Sequence, residues 1–138
     1  MVIEVARPTS DEALRGTETI LFVDDEERIV DISKKILSRI GYTVLTAKNG
    51  QEAKEIFLKN KEIIDLVILD MILPDMDGNE IFKILKGVEP KVKVLISSGY
   101  IMDSQIETLL KGGCLGFIHK PFEISDLSSK LRAALSKG

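Results

Sequence analysis

Leu66-Val67-Ile68-Leu69-Asp70-Met71-Ile72-Leu73-Pro74-Asp75-Met76-Asp77-Gly78 decides the fold. Four apolar residues run without a break into an acid. Such a run, bounded by turn residues, reads as a strand buried on both faces, the habit of parallel sheets. Pro74, Asp75, Asp77 and Gly78 supply turn chemistry directly after it. Open parallel α/β sheets gather ligands outside the carboxyl ends of their strands. Asp70 is therefore expected at a strand end where chemistry collects.

The same pattern recurs outward from this stretch. Upstream, Thr19-Ile20-Leu21-Phe22-Val23 is a second apolar run, and it ends in Asp24-Asp25-Glu26. Ile29, Ile32, Ile36 and Ile40 then recur at helical spacing until Gly41 stops the helix. Tyr42 to Ala47 is rich in β-formers and reads as a strand. Asn49-Gly50 turns the chain, and Ala53, Ile56 and Phe57 mark the next helix. Downstream, Ile81, Ile84, Leu85 and Val88 give a third helix, and Pro90 separates it from a strand at Val92 to Ser97. Gly99 to Ser104 loops into a helix marked by Ile106, Leu109 and Leu110, which Gly112-Gly113 ends. Leu115 to His119 is the fifth strand, closed by Lys120-Pro121-Phe122. Ile124, Leu127, Leu131 and Leu135 line a last helix. Residues 1–18 carry Pro8, Ser10 and Gly16 without a sustained period and read as a tail or linker, with a helical turn expected at most over Asp11 to Arg15. Residues 19–138 form one domain. Strict β–α alternation means a parallel sheet covered by helices on both faces, with right-handed crossovers.

A chain of 138 residues is one domain, large enough to bury roughly two-thirds of its unfolded surface without staples. It is 44% hydrophobic and 30% charged, with net charge −3. A pI near 5.3 argues against direct binding to nucleic acid. The single cysteine, Cys114, excludes an internal disulfide framework and a cysteine-cluster metal site. No apolar run is long enough to cross a membrane, and the first residues lack the basic-then-apolar pattern of a signal peptide, so no direct membrane contact and a cytoplasmic address are expected.

The strand ends carry the chemistry. The first gives Asp24 and Asp25, the third Asp70, the fourth Ser97 and Ser98, and the fifth Lys120. Neighbouring strands lie ~4.8 Å apart, so side chains at adjacent ends can share one site. Three carboxylates that close repel one another unless a cation sits between them. Oxygen ligands without His or Cys favour Mg²⁺ over zinc. A metal and a lysine around a carboxylate make a receptor for phosphate oxygens, and the carboxylate itself can become the nucleophile. Asp75 and Asp77 read as turn acids that add negative charge nearby. His119 and Cys114 read as structural residues.

Taken together, Asp24-Asp25-Glu26, Asp70 through Gly78, Ser98-Gly99-Tyr100 and Lys120-Pro121-Phe122 resemble the receiver domain of two-component response regulators. The resemblance runs from about Thr19 to Leu135. It implies a flavodoxin-like, doubly wound sheet of five parallel strands in the order 2-1-3-4-5. It implies that Asp70 is the phosphoacceptor, fed by a histidine kinase or a histidine phosphotransfer domain. Asp25 and Asp70 would ligate Mg²⁺ directly with the backbone carbonyl of Ile72, and Asp24 would act indirectly. Lys120 would pair with Asp70 and then with the phosphoryl group. Ser98 rather than Ser97 would donate its hydroxyl, because Gly99 supplies the small residue that follows it in the family. Phe117 would be the switch aromatic, on a face made of the fourth helix, fifth strand and last helix. The Lys120–Pro121 peptide is cis in the family. Receivers appended to hybrid histidine kinases resemble this chain in Gly16-Thr17-Glu18-Thr19 and Ser98-Gly99-Tyr100. No residues follow the last helix for an output domain, so a stand-alone receiver or a piece of a longer chain is expected.

Three other functions compete. A Mg²⁺-dependent phosphatase with an aspartyl nucleophile needs a second acid two residues after it, where this chain has Ile72. A flavin protein needs a phosphate cradle after the first strand, where Asp24-Asp25-Glu26 would repel phosphate. A receiver-like interaction domain that is never phosphorylated has no need of the intact acid set.

Overall fold

The computed structural model describes residues 16–99, 103–120 and 122–136. Its strands are β1 Thr19–Val23, β2 Thr43–Ala47, β3 Leu66–Asp70, β4 Val94–Ser98 and β5 Gly116–His119. They alternate with helices α1 Glu27–Arg39, α2 Gly50–Asn60, α3 Gly78–Val88, α4 Asp103–Lys111 and α5 Ile124–Ser136. Every strand pairing is parallel, and the order is β2-β1-β3-β4-β5. This is the flavodoxin-like architecture. The chain leaves β1 to build one edge with β2, then returns to lay β3 on the other side of β1. That reversal sets the ends of β1 and β3 side by side.

Period-two alternation divides the core into two layers. Leu21 and Val23, Val67 and Leu69, and Val94 and Ile96 face α2, α3 and α4 through Ala53, Phe57, Ile81, Phe82, Leu85 and Leu109. Ile20 and Phe22, Leu66 and Ile68, and Leu95 and Ile118 face α1 and α5 through Leu37, Ile40, Leu127, Leu131 and Ala134. β1 and β3, buried on both sides, have the spans expected from their unbroken apolar runs. The other strands are trimmed. Tyr42 and Leu115 precede β2 and β5. β4 runs Val94–Ser98 rather than Val92–Ser97, because Val92 still belongs to the turn in which its N–H donates to the Glu89 carbonyl.

The face of α1 is a correction. Spacing placed Ile32 on the buried stripe with Ile29, Ile36 and Ile40. Ile32 is instead 55% exposed, and the helix buries Ser33 and Leu37. Counting only apolar residues skips Ser33, the small polar residue at the centre of the true stripe, and so rotates the helix. Leu110 and Ile124 are likewise exposed at the rims of their faces. Tyr100, the Lys120–Pro121 peptide and a helical turn over Asp11 to Arg15 lie outside the described residues. Of the first eighteen residues, Gly16 to Glu18 are described, and they strap onto the domain. The Gly16 N–H donates to the Ile40 carbonyl, and Glu18 takes an ion pair from Arg132 of α5 at 2.7 Å. Gly41, at φ 103°, ends α1 directly beneath that strap, where a Cβ would meet the Gly16 carbonyl oxygen. Among the described residues, no helix is long and apolar enough to cross a membrane.

Candidate phosphoacceptor site

β1 delivers Asp24 and Asp25 to the carboxyl edge, β3 delivers Asp70, and the residue after β5 is Lys120. One carboxylate oxygen from each of the three acids lies within 4.8 Å of the others. Lys120 Nζ sits 2.6 Å from Asp24 Oδ2 and 3.1 Å from Asp70 Oδ2. Asp24 is fully buried, and its Oδ1 accepts the Glu26 N–H at 3.0 Å. Its Oδ1 is thus held by a hydrogen bond and its Oδ2 by the Lys120 ion pair alone. Asp25 is exposed, with its carboxylate at the mouth of the cluster. Asp70 is 5% exposed. The set is three acids against one lysine, with only one acid facing water.

Electrostatics follow from that arrangement. Burial pushes the Asp70 carboxyl above its ordinary pKa, and the charge of Asp24 adds to the push while Lys120 opposes it. Burial alone would lower the Lys120 ammonium, but the carboxylates of Asp24 and Asp70 outweigh it and hold the proton on more firmly than usual. The cluster therefore carries excess negative charge that a divalent cation would neutralise. The donors present, carboxylates with an exposed Asp25 among them, suit a hard cation such as Mg²⁺.

Lys120 is held by its backbone and by its neighbour. Its N–H donates to the Ser98 carbonyl at 3.1 Å. Phe122 then packs edge-on against Phe22 of β1, ring centroids 6.0 Å apart, and pins the segment to the core. Ser98 is buried at the end of β4, opposite His119, one position beyond the Asp70–Ser97 register pair. Ser97 is fully buried, and its hydroxyl finds no hydrogen-bond partner among the described residues. Phe117 is half-buried against the α2–α3–α4 layer, with its carbonyl accepting from Lys130 of α5. His119 is exposed at the end of β5. Cys114 is buried, its thiol pushed up by burial.

The loop after β3 holds the least expected geometry. Gly78 N–H closes the loop onto the Met71 carbonyl at 2.7 Å, and Ile72 bridges Asp77. Asp77 caps α3 through the Glu80 N–H at 2.8 Å, as a turn acid should. Asp75 does something else. Its two oxygens accept the N–H groups of Gly50 and Gln51, at the start of α2, at 2.7 and 2.9 Å. Its charge is committed to that helix rather than left as loose negative potential beside the acids. A contact to backbone N–H groups 24 and 25 residues away leaves no mark in the sequence pattern.

The family model of the response regulator receiver domain matches residues 20–132. Sporulation initiation phosphotransferase F of Bacillus subtilis is 34% identical over 118 residues, 86% of this chain and 94% of its own length. The sensor kinase CckA of Brucella abortus is 33% identical over 90% of this chain, which spans only 13% of that kinase. Among solved structures, a receiver domain protein from Clostridium thermocellum superposes with a TM-score of 0.81 at 33% identity, covering 86% of this chain and 94% of that one. The CheX-CheY-BeF3-Mg complex from Borrelia burgdorferi gives 0.83 at 25% identity, covering 87% and 90%. On these matches the chain belongs to the response regulator receiver domain family, the phosphoacceptor signalling modules of two-component systems.

Proposed function

We propose that Asp70 is the phosphoacceptor, and that it receives its phosphoryl group from the phosphohistidine of a histidine kinase or histidine phosphotransfer domain. The observation that carries this reading is Lys120 Nζ straddling Asp24 and Asp70 at 2.6 and 3.1 Å, with Asp25 exposed beside them. An Asp70 oxygen attacks phosphorus, the P–N bond to the donor breaks, and an aspartyl phosphate forms. Asp25, Asp70 and the Ile72 carbonyl would hold Mg²⁺, with Asp24 acting through Lys120 and the Glu26 N–H. When bound, the ion neutralises charge on the transferring group. The similar Borrelia protein was solved as a complex with both BeF3 and Mg²⁺, which supports this assignment. Lys120 exchanges its contact with Asp70 for one with the new phosphoryl oxygens, and the Ser98 hydroxyl donates to another. The same groups assist hydrolysis of the aspartyl phosphate, and the module works in the cytoplasm alongside its donor.

Treatment with acetyl phosphate and Mg²⁺ should add one phosphoryl group to the intact mass. Chelator should stop the reaction, and undiminished labelling in chelator would overturn the metal assignment.

Movement of Ser98 and Lys120 toward the phosphoryl group is the local charge event that frees space for Phe117 to turn inward, switching the α4-β5-α5 face. NMR shifts on phosphorylation should extend to Ile106, Leu109 and Phe117. Shifts confined to the loops around Asp25 and Asp70 would rule this switch out.

A further inference from the structure

The first free N–H groups of α2 are all taken. Asn49 caps its own helix through the Glu52 N–H at 2.8 Å. The two before that one, on Gly50 and Gln51, are taken by Asp75 from another loop. A carboxylate at a helix N-terminus also meets the positive end of the helix dipole. Those N–H bonds, the one from Gly50 foremost, outweigh the opposing effect of burial and keep the Asp75 carboxyl below its usual range.

A second contact repeats the tether. A Cβ on Gly50 would run into Met76 Cγ, so the loop tip sits directly on the helix start. α2 in turn is rooted in the core by Ala53 and Phe57. At the other end the loop is pinched shut. Gly78 bonds back to Met71, and a Cβ there would stand 2.7 Å from the Asp70 carbonyl oxygen. Ile72 lies between pinch and tether. Its side chain is 75% exposed, so packing does not hold its backbone. Its N–H bond to Asp70 Oδ1 at 3.4 Å, its bridge to Asp77 and the anchored tip do.

We propose that Asp75 is a positioning residue of the phosphoacceptor site, tying the β3–α3 loop to α2 and so fixing the Ile72 carbonyl toward the metal position. This rests on the metal reading above, and the two can fail separately. Mg²⁺ is titrated into the parent, Asp75→Ala and Asp75→Asn by calorimetry, with urea melts of each protein alongside. The expected result is a Mg²⁺ Kd raised about tenfold in Asp75→Ala, since groups that orient a metal ligand typically change affinity by that order when removed. Asp75→Asn keeps one acceptor oxygen and should fall between. Labelling by acetyl phosphate should slow in Asp75→Ala at low Mg²⁺ and recover at saturating Mg²⁺. A folded Asp75→Ala with the parent's Kd would overturn the tether, even if its urea midpoint fell, because that is the mark of a merely structural bond. If Asp75→Ala does not fold, Asp75→Asn carries the test, and a parent-like Kd there overturns the proposal equally. A parent that binds no Mg²⁺ would overturn the metal reading, and the tether's role with it.

Discussion

Replacing Asp70 by Asn should abolish phosphoryl incorporation from acetyl phosphate and, in chelator, make the protein more stable than the parent by roughly 1–2 kcal/mol. Both halves come from one geometry. Asp24 also pairs with Lys120, but it is fully buried with its other oxygen on the Glu26 N–H, so Asp70 is the Lys120-paired acid left to act as nucleophile. The folded state must hold it buried near Asp24, whereas the unfolded chain separates the two. Its carboxyl is raised in the fold, chiefly by burial and further by Asp24, against the pull of Lys120. An acid whose folded pKa lies above its unfolded value of about 3.8 binds its proton more tightly when folded. The penalty is absent at pH values below 3.8 and grows as pH rises through the folded value. The advantage of Asp70→Asn should therefore be full above the raised folded value and vanish near pH ~3. Added Mg²⁺ should reverse the order by stabilising the intact acid set more than the variant. Urea melts across pH, with and without Mg²⁺, measure each part. Residual labelling of Asp70→Asn at the parent's level would show that another acid accepts the phosphoryl group, and a clearly less stable variant in chelator would show that burying this charge is not a cost.

Lys120→Met should destabilise the fold by about 3–5 kcal/mol. Asp24 is fully buried and relies on Lys120 Nζ at 2.6 Å for compensation of its charge. Removing one partner of such a pair strands the other. The loss should shrink when Asp24→Asn is added, and a double variant no more stable than Lys120→Met alone would show that the damage is packing rather than charge. In the parent the raised Lys120 pKa gives an alkaline signature. The stabilisation is complete below pH 10.5, the ordinary lysine value, and disappears as pH climbs through the higher folded value.

The acid–lysine cluster was legible because it needs only strand ends. An apolar run that stops at an acid fixes where that acid points, and parallel topology brings such ends to one edge. β1 and β3 were legible to the residue for the same reason, their burial on both faces leaving an unbroken apolar signal. The order of the strands was not in the pattern and came from resemblance to a family. Ser33 shows how one small polar residue in a buried stripe misleads a count of apolar spacing. Asp75 shows a harder limit. Its partners are two backbone N–H groups, which every residue but proline possesses, so nothing in residues 50 and 51 advertises that a distant carboxylate binds there.

The strap of Gly16 to Glu18 has a practical consequence for handling the domain. It is fastened to the end of α1 and to α5, while Lys93, just before β4, donates to the Leu135 carbonyl near the end of α5. In a parallel sheet these are the starting ends of the strands, the pole opposite Asp24, Asp70 and Lys120. Immobilised on a sensor chip by a linker joined on either side of the described domain, the protein would hang from its inert pole with the acid cluster turned to the flowing solution, open to donor proteins and metal alike.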